Sequence, residues 1–150
     1  MTHKQLVQRV AKWLKNSKHN TVVMSELTTR NTEIPDVIGW VSGAFSTLIE
    51  CKVSRADFLS DKHKIFRRYE EMGMGDHRYY AAPKGVLTVD DMPDGWGLLE
   101  VESNIKVVKE AAAKTANKST ECVMLMSALR RLEISTAVYV VQESEDQDGL

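Results

Sequence analysis

Three residues with the chemistry of a hydrolytic centre fall within a short span of this chain: Asp36, Glu50 and Lys52. The stretch from Phe45 to Val53 alternates. As a strand it places Phe45, Thr47, Ile49, Cys51 and Val53 on one face, and Ser46, Leu48, Glu50 and Lys52 on the other. A carboxylate and an ammonium then project together from a strand whose opposite face is mostly apolar. Such a pair at a surface contributes little. The alternative is an anionic metal site with a lysine attached. Asp36 belongs to a preceding strand, 34–41, which Ser42-Gly43 turns back into the Glu50 strand as a hairpin. Pro35 sits at the start of that strand, where a missing N–H is tolerated.

The elements around this hairpin follow from local signals. Thr2-His3-Lys4-Gln5 is a capping box, and Leu6, Val10, Trp13 and Leu14 repeat at helical spacing, which predicts a first helix over 3–17. Residues 21–28 are strand-like, with Glu26 on the same side as Val22 and Met24. A carboxylate on a mostly apolar face tends to be paired or to bind metal, so Glu26 joins the candidate site. Ser54-Arg55-Ala56-Asp57 is a second capping-box pattern, opening a helix over 55–72 with Phe58, Lys62, Ile65, Phe66, Tyr69 and Met72 on one face. Gly73 and Gly75 supply its stop. A fourth strand is expected at 78–82, then turn chemistry at 90–95, and a small hairpin of 96–101 with 105–108.

Farther on, 110–118 is Ala- and Lys-rich, a weakly helical linker. A last helix is expected over 120–133, with Cys122, Leu125, Met126, Leu129 and Leu132 on one face. Val123 and Met124 lie off that face, and a helix apolar on more than one side wants a second neighbour, which points to a homodimer contact there. Residues 137–141 suit a late strand, and 143–148 an acidic tail.

The totals bound the class. At 150 residues the chain has the size of one domain, 1–150, with neither an internal repeat nor a second core. No apolar run is long enough to span a bilayer, and the start leads into a helix rather than a signal segment. Cys51 and Cys122 lack CxxC spacing and are expected to be buried, reduced thiols of a cytoplasmic protein. The net charge of -1 excludes a generally basic nucleic-acid coat, but not a local positive patch beside a carboxylate site. His3, His19, His63 and His77 show no HxH or HExxH pattern, and neither a Gly-rich phosphate loop nor GxSxG is present. Asp90-Asp91, beside Pro93 and Gly95, is turn chemistry rather than a metal pair.

The order helix, strand, strand, strand, helix, strand, with Pro35-Asp36 on one strand and Glu50-x-Lys52 on the next, resembles the PD-(D/E)xK nuclease superfamily. The segment from Ile49 to Phe58 is similar to the MmcB-like DNA-repair proteins and related small phage nucleases. Segments 73–80 and 93–97 add to that likeness, which covers roughly 21–108. The resemblance implies an α/β fold of restriction-endonuclease-like architecture, a mixed central sheet flanked by helices. It implies Mg²⁺ or Mn²⁺ bound by Asp36, Glu50 and the backbone carbonyl of Cys51, with Lys52 orienting the attacking water, and DNA as substrate.

Phosphodiester cleavage needs a hydroxide nucleophile, relief of charge in the transition state and a stabilised leaving oxygen, and a hard cation on carboxylates helps with all three. Arg55 and Lys62, nearest the motif on the second helix, are the candidate phosphate contacts. Lys64, Arg67 and Arg68 belong to a solvated helix face. The rival from another class is a non-catalytic DNA- or protein-binding module that keeps the fold.

Overall fold

In the computed structural model, residues 1–25, 34–61 and 70–132 are described below. Of the elements expected above, Glu26 and the end of its strand, the connection 30–33, Lys62 with the rest of 62–69, and everything after Leu132 lie outside these residues.

Helix α1 (His3–Asn16) starts as its capping box requires. The Gln5 N–H donates to Thr2 Oγ1 at 3.1 Å, and the Thr2 N–H donates to Gln5 Oε1 at 2.8 Å. Its buried stripe, Leu6, Val7, Val10 and Leu14, packs on one face of a six-stranded sheet. The strands are β1 (Val22–Ser25), β2 (Val37–Trp40), β3 (Ser46–Cys51), β4 (His77–Pro83), β5 (Gly97–Val101) and β6 (Ile105–Lys109). They lie side by side in chain order. β1, β2 and β3 form an antiparallel meander, β3, β4 and β5 run parallel, and β6 returns antiparallel to β5.

A parallel step needs a crossover. Between β3 and β4 it includes α2 (Arg55–Asp61) and a 3-10 turn at Glu70–Met72. The opposite face of the sheet is covered by α2, by the 84–96 connection and by α3 (Lys118–Arg131), through Phe58, Leu87, Trp96 and Met124 against Ile38, Trp40, Leu48, Tyr80 and Leu98. The molecule is therefore an α/β fold, a mixed sheet flanked by helices.

Two expectations about the C-terminal part are corrected. Residues 110–117 are not helical despite their alanines. Their N–H groups are taken elsewhere: Ala112 donates to the Gly95 carbonyl at 2.9 Å, Lys114 to Asp76 at 2.7 Å and Asn117 to Gly73 at 2.9 Å. Weak helix propensity loses to these long-range bonds. Asn117 then caps α3, its Oδ1 accepting from the Thr120 N–H at 3.1 Å.

The buried face of α3 is Glu121, Met124 and Ser127, not the row of Cys122, Met126, Leu129 and Leu132, which is exposed. The cause is electrostatic. Glu121 Oε1 accepts from Trp40 Nε1 at 3.0 Å and Lys118 Nζ at 3.1 Å. Glu121 Oε2 accepts from Ser46 Oγ at 2.7 Å and the Gly75 N–H at 2.8 Å. A carboxylate given four donors is seated inside the fold, whereas its apolar neighbours on the helix are not. Gly75 is required here: its φ is +92°, and a β-carbon would lie 2.7 Å from Cβ of Leu48.

Beside Glu121, Asp76 accepts from the Ser46 N–H at 2.8 Å and from Lys118 Nζ at 2.6 Å. Burial alone would raise the Asp76 pKa, but its bonds to Lys118 and Ser46 hold it below the usual carboxylate range. Lys118 is raised in turn: burial opposes its charge, and the bonds to Asp76 and Glu121 prevail. A depressed carboxylate stabilises the fold above its unfolded pKa and ceases to do so as pH falls through the folded one. Denaturant titrations between about pH 7 and about pH 3 should therefore show stability falling at the acid end. Asp76→Asn should remove part of that dependence and lower stability at neutral pH by about 2 kcal/mol, the worth of a hydrogen bond to a charged group.

Candidate functional site

The alternation of β3 holds as expected. Ser46, Leu48 and Glu50, and Lys52 just beyond the strand, share the face covered by α2 and α3, while Ile49 and Cys51 pack against α1. In the β2–β3 hairpin Val37 stands opposite Ile49 and Ile38 opposite Leu48, so the ladder extended by one residue brings position 36 opposite position 50. The carboxylate of Asp36 turns toward the end of β3, where its Oδ2 accepts from the Cys51 N–H at 2.8 Å. His3 Nε2, from the first turn of α1, lies 3.5 Å from the same oxygen. Asp36 is thus pinned beside the Glu50-Cys51-Lys52 segment.

Glu50 is 2% exposed and stands opposite Tyr80 in the parallel β3–β4 register. Lys52 is directed to Asp61 at the end of α2, with Nζ 3.4 Å from Oδ1. Asp61 Oδ2 accepts from the Tyr80 hydroxyl at 2.5 Å. Asp61 is 1% exposed. A carboxylate so deeply set belongs with a cation and a donor, and Lys52 and Tyr80 supply both. The ammonium is thereby held in one place on the same sheet face as Glu50.

Asp61 is the functional candidate that sequence reasoning missed. The spacing Phe58 to Asp61, three residues on one helix, was the available signal: it puts the acid on the buried face with the phenylalanine. Tyr79 and Tyr80 alternate along β4, so only one of them can share the face of Glu50, and the register makes it Tyr80. The α2 cap is as read, the Asp57 N–H donating to Ser54 Oγ at 3.2 Å.

Arg55 is engaged. Its guanidinium donates through NH1 to Asp91 Oδ2 at 2.8 Å and through NH2 to Oδ1 at 3.0 Å. Asp91 also accepts from the Thr88 N–H at 2.7 Å in the 3-10 turn Val89–Asp91. The Arg55 bonds, then those from Thr88, hold the Asp91 carboxyl far below its usual range. An incoming phosphate must compete with this bidentate pair. Glu26 and Lys62 lie outside the described residues. Of the thiols, Cys51 is buried as expected and Cys122 is exposed, and the two are not joined.

For a metal, the donors at hand are the carboxylates of Asp36 and Glu50 and the backbone carbonyl of Cys51. These are hard oxygens, suited to Mg²⁺ or Mn²⁺ that keeps several waters. Among the described residues no three His, Cys, Asp or Glu side chains form a complete protein shell. Such oxygens are the ligands of a hydrated hard cation rather than of zinc. Glu50 and Cys51 lie at the carboxyl end of β3, beside the parallel strand β4, the end at which open α/β sheets present their crevices.

No helix among the described residues is long and apolar enough to cross a membrane. No family model matches the chain, and no curated protein matches it. A solved structure does: a protein of unknown function, SPO1766, from Silicibacter pomeroyi, is 24% identical, with a TM-score of 0.68 over 93% of this chain and 99% of that one. At that identity the likeness establishes a shared α/β fold, and nothing of the chemistry.

Proposed function

We propose that this chain is a metal-dependent nuclease of restriction-endonuclease-like architecture, hydrolysing DNA phosphodiester bonds in phage or bacterial DNA repair, recombination or degradation. The observation that carries it is the placement of Asp36 against the Glu50-Cys51-Lys52 segment, with Lys52 fixed by a buried acid. Asp36, Glu50 and the Cys51 carbonyl would hold Mg²⁺ or Mn²⁺. The cation supplies a water of lowered pKa and offsets phosphate charge. Lys52 orients the attacking water and neutralises a non-bridging oxygen. Asp61 and Tyr80 act through Lys52, as positioning residues. Arg55, released from Asp91, meets a flanking phosphate, and Lys62 belongs to the same set by its place in the sequence.

The second reading is a binding module with the same fold and no catalysis. The net charge of -1 favours it. The buried Glu50 and the directed Lys52 favour the enzyme, because a binder has no use for charges withdrawn from its partner. The homodimer would use the exposed row of Met126, Leu129 and Leu132.

Cleavage of a DNA panel with Mn²⁺ should fall by about a hundredfold or more in Glu50→Gln and Lys52→Met, with the folded state intact by circular dichroism. Undiminished cleavage in both variants would discard the site. Asp61→Asn should lower kcat by about tenfold with KM little changed, and Asp61→Glu should recover part of it. Calorimetry with Mn²⁺ in the absence of DNA should show a binding heat that Asp36→Ala abolishes, whereas a mere binding module gives none. Light scattering should report a dimer that Met126→Glu dissociates; a monomeric wild type would remove that interface.

A further inference from the structure

The charge on α1 has one sign. The first 25 residues hold Lys4, Arg9, Lys12, Lys15 and Lys18 and no acid, in a chain whose net charge is -1. Lys4, Gln8, Lys12 and Lys15 recur every three or four residues, so they fall within a quarter of the helix circumference. All four are exposed, on the side away from Leu6, Val10 and Leu14. The stripe is about 16 Å long. Among the described residues, Lys4, Lys12 and Lys15 meet no carboxylate. The first turn holds no acid, although the helix dipole favours one there. Like charges at this spacing repel. The buried face thus holds α1 together against its own charge, and an anion laid along the stripe relieves that repulsion.

Beside the stripe, a groove of about 280 Å³ lies between the C-terminal half of α1 and the β5–β6 turn. Arg9, Lys12, Asn16 and Ser17 line it from the helix and Ser103 and Asn104 from the turn, with Trp13 and Ile105 completing the wall. No acid is among the described residues that line it. Arg9 donates to the backbone carbonyls of Glu102 and, at 3.0 Å, Ser103, while the Glu102 carboxylate is 3.6 Å from Lys84 Nζ. Cations, amides and hydroxyls of this kind meet phosphate and sugar oxygens.

A lipid surface, an acidic protein and a nucleic acid all carry negative charge, and the rest of α1 separates them. A helix lies in a lipid surface by its apolar face. That face is taken up by the sheet here, with Leu6, Val10 and Leu14 at most 1% exposed. A protein partner needs an apolar or aromatic centre to desolvate. From Thr2 to Thr21 no large apolar side chain is exposed, and Trp13 is half-buried, with Lys18 Nζ 5.3 Å from its ring centroid. A nucleic-acid backbone needs neither, only cations and donors in a row.

We propose that the outer face of α1 and the adjoining groove bind the phosphate backbone of a nucleic acid, with Lys4, Lys12 and Lys15 as the charges and Gln8, Asn16, Ser17 and Asn104 as neutral contacts. The stripe begins beside the candidate metal centre: His3, one residue before Lys4, lies 3.5 Å from Asp36. The docking stands on the charge pattern. That the docked strand is the one cleaved rests on the nuclease reading.

The test is fluorescence anisotropy of labelled duplex and single-stranded oligonucleotides of one length, across a salt series, in chelator so that none is cleaved. Wild type should bind. Lys12→Gln/Lys15→Gln should bind about tenfold more weakly at low salt, with the slope of log K against log salt reduced by about two and circular dichroism unchanged. Lys106→Gln/Arg130→Gln removes the same charge from exposed positions elsewhere and should alter neither quantity. Tighter binding of duplex assigns the face to duplex, and the reverse to single strands; both sustain the proposal. No binding by wild type, equal losses in the two variants, or binding to phosphatidylserine vesicles as tight as to DNA would each overturn it. Wild type that docks in this way but cleaves nothing with Mn²⁺ refutes the nuclease reading and leaves the docking face standing. Cleavage with no loss of binding in the α1 variant does the reverse.

Discussion

Ionised groups withdrawn from water must be met atom by atom, and this constraint shapes both ends of β3. At its start, Glu121 and Asp76 crowd around Ser46, and Lys118, the Trp40 indole and the backbone at Gly75 supply the donors. At its end, Asp61 is matched by Lys52 and Tyr80. Leaving one buried carboxylate oxygen unmet costs a few kcal/mol, comparable to the stability of a whole domain of this size. The helices α2 and α3 are therefore located by their acids as much as by their apolar residues. Phe58 and Met124 fill the space, but Asp61 and Glu121 fix the seat.

The two ends differ in one respect that matters for chemistry. The network at the start of β3 is closed: all four acceptor positions of Glu121 are taken by groups of the protein. The end of β3 lies where the parallel strands finish and the chain departs into α2, the edge of the sheet at which crevices form. Asp36 enters there from the antiparallel side of β3, and Tyr80 from the parallel side. A site assembled from both neighbours of one strand needs the mixed sheet: a purely antiparallel meander would not return β4 in the direction that puts Tyr80 beside Glu50.

What was legible in the sequence was what depends on short-range periodicity. The alternation of β3, the Ser42-Gly43 turn and the cap at Thr2 each follow from residues within a few positions of one another. Asp36 could be placed opposite Glu50 because a hairpin register is local arithmetic. The inverted face of α3 was not legible, since the rows Cys122-Met126-Leu129 and Glu121-Met124 are both helical stripes. The choice between them is made by Trp40, Ser46 and Gly75, 46 to 81 residues away. Asp61 was hidden in the same way, its partners being a lysine on one strand and a tyrosine on another. The segment 110–117 misled through its alanines, whose preference for helix is smaller than three backbone bonds to Gly95, Asp76 and Gly73.

That segment also orders events in time. It runs as an extended strap past turns that precede β4 and β5, and it delivers Glu121 to donors displayed by β2 and β3. During synthesis, every strand of the sheet leaves the ribosome before the acid that completes it. Until residue 121 emerges, the Trp40 indole lacks its carboxylate acceptor, and the face that Met124 will cover stays wet. The nascent sheet is thus an unfinished interior until α3 docks, a long-range contact with a high loop-closure cost.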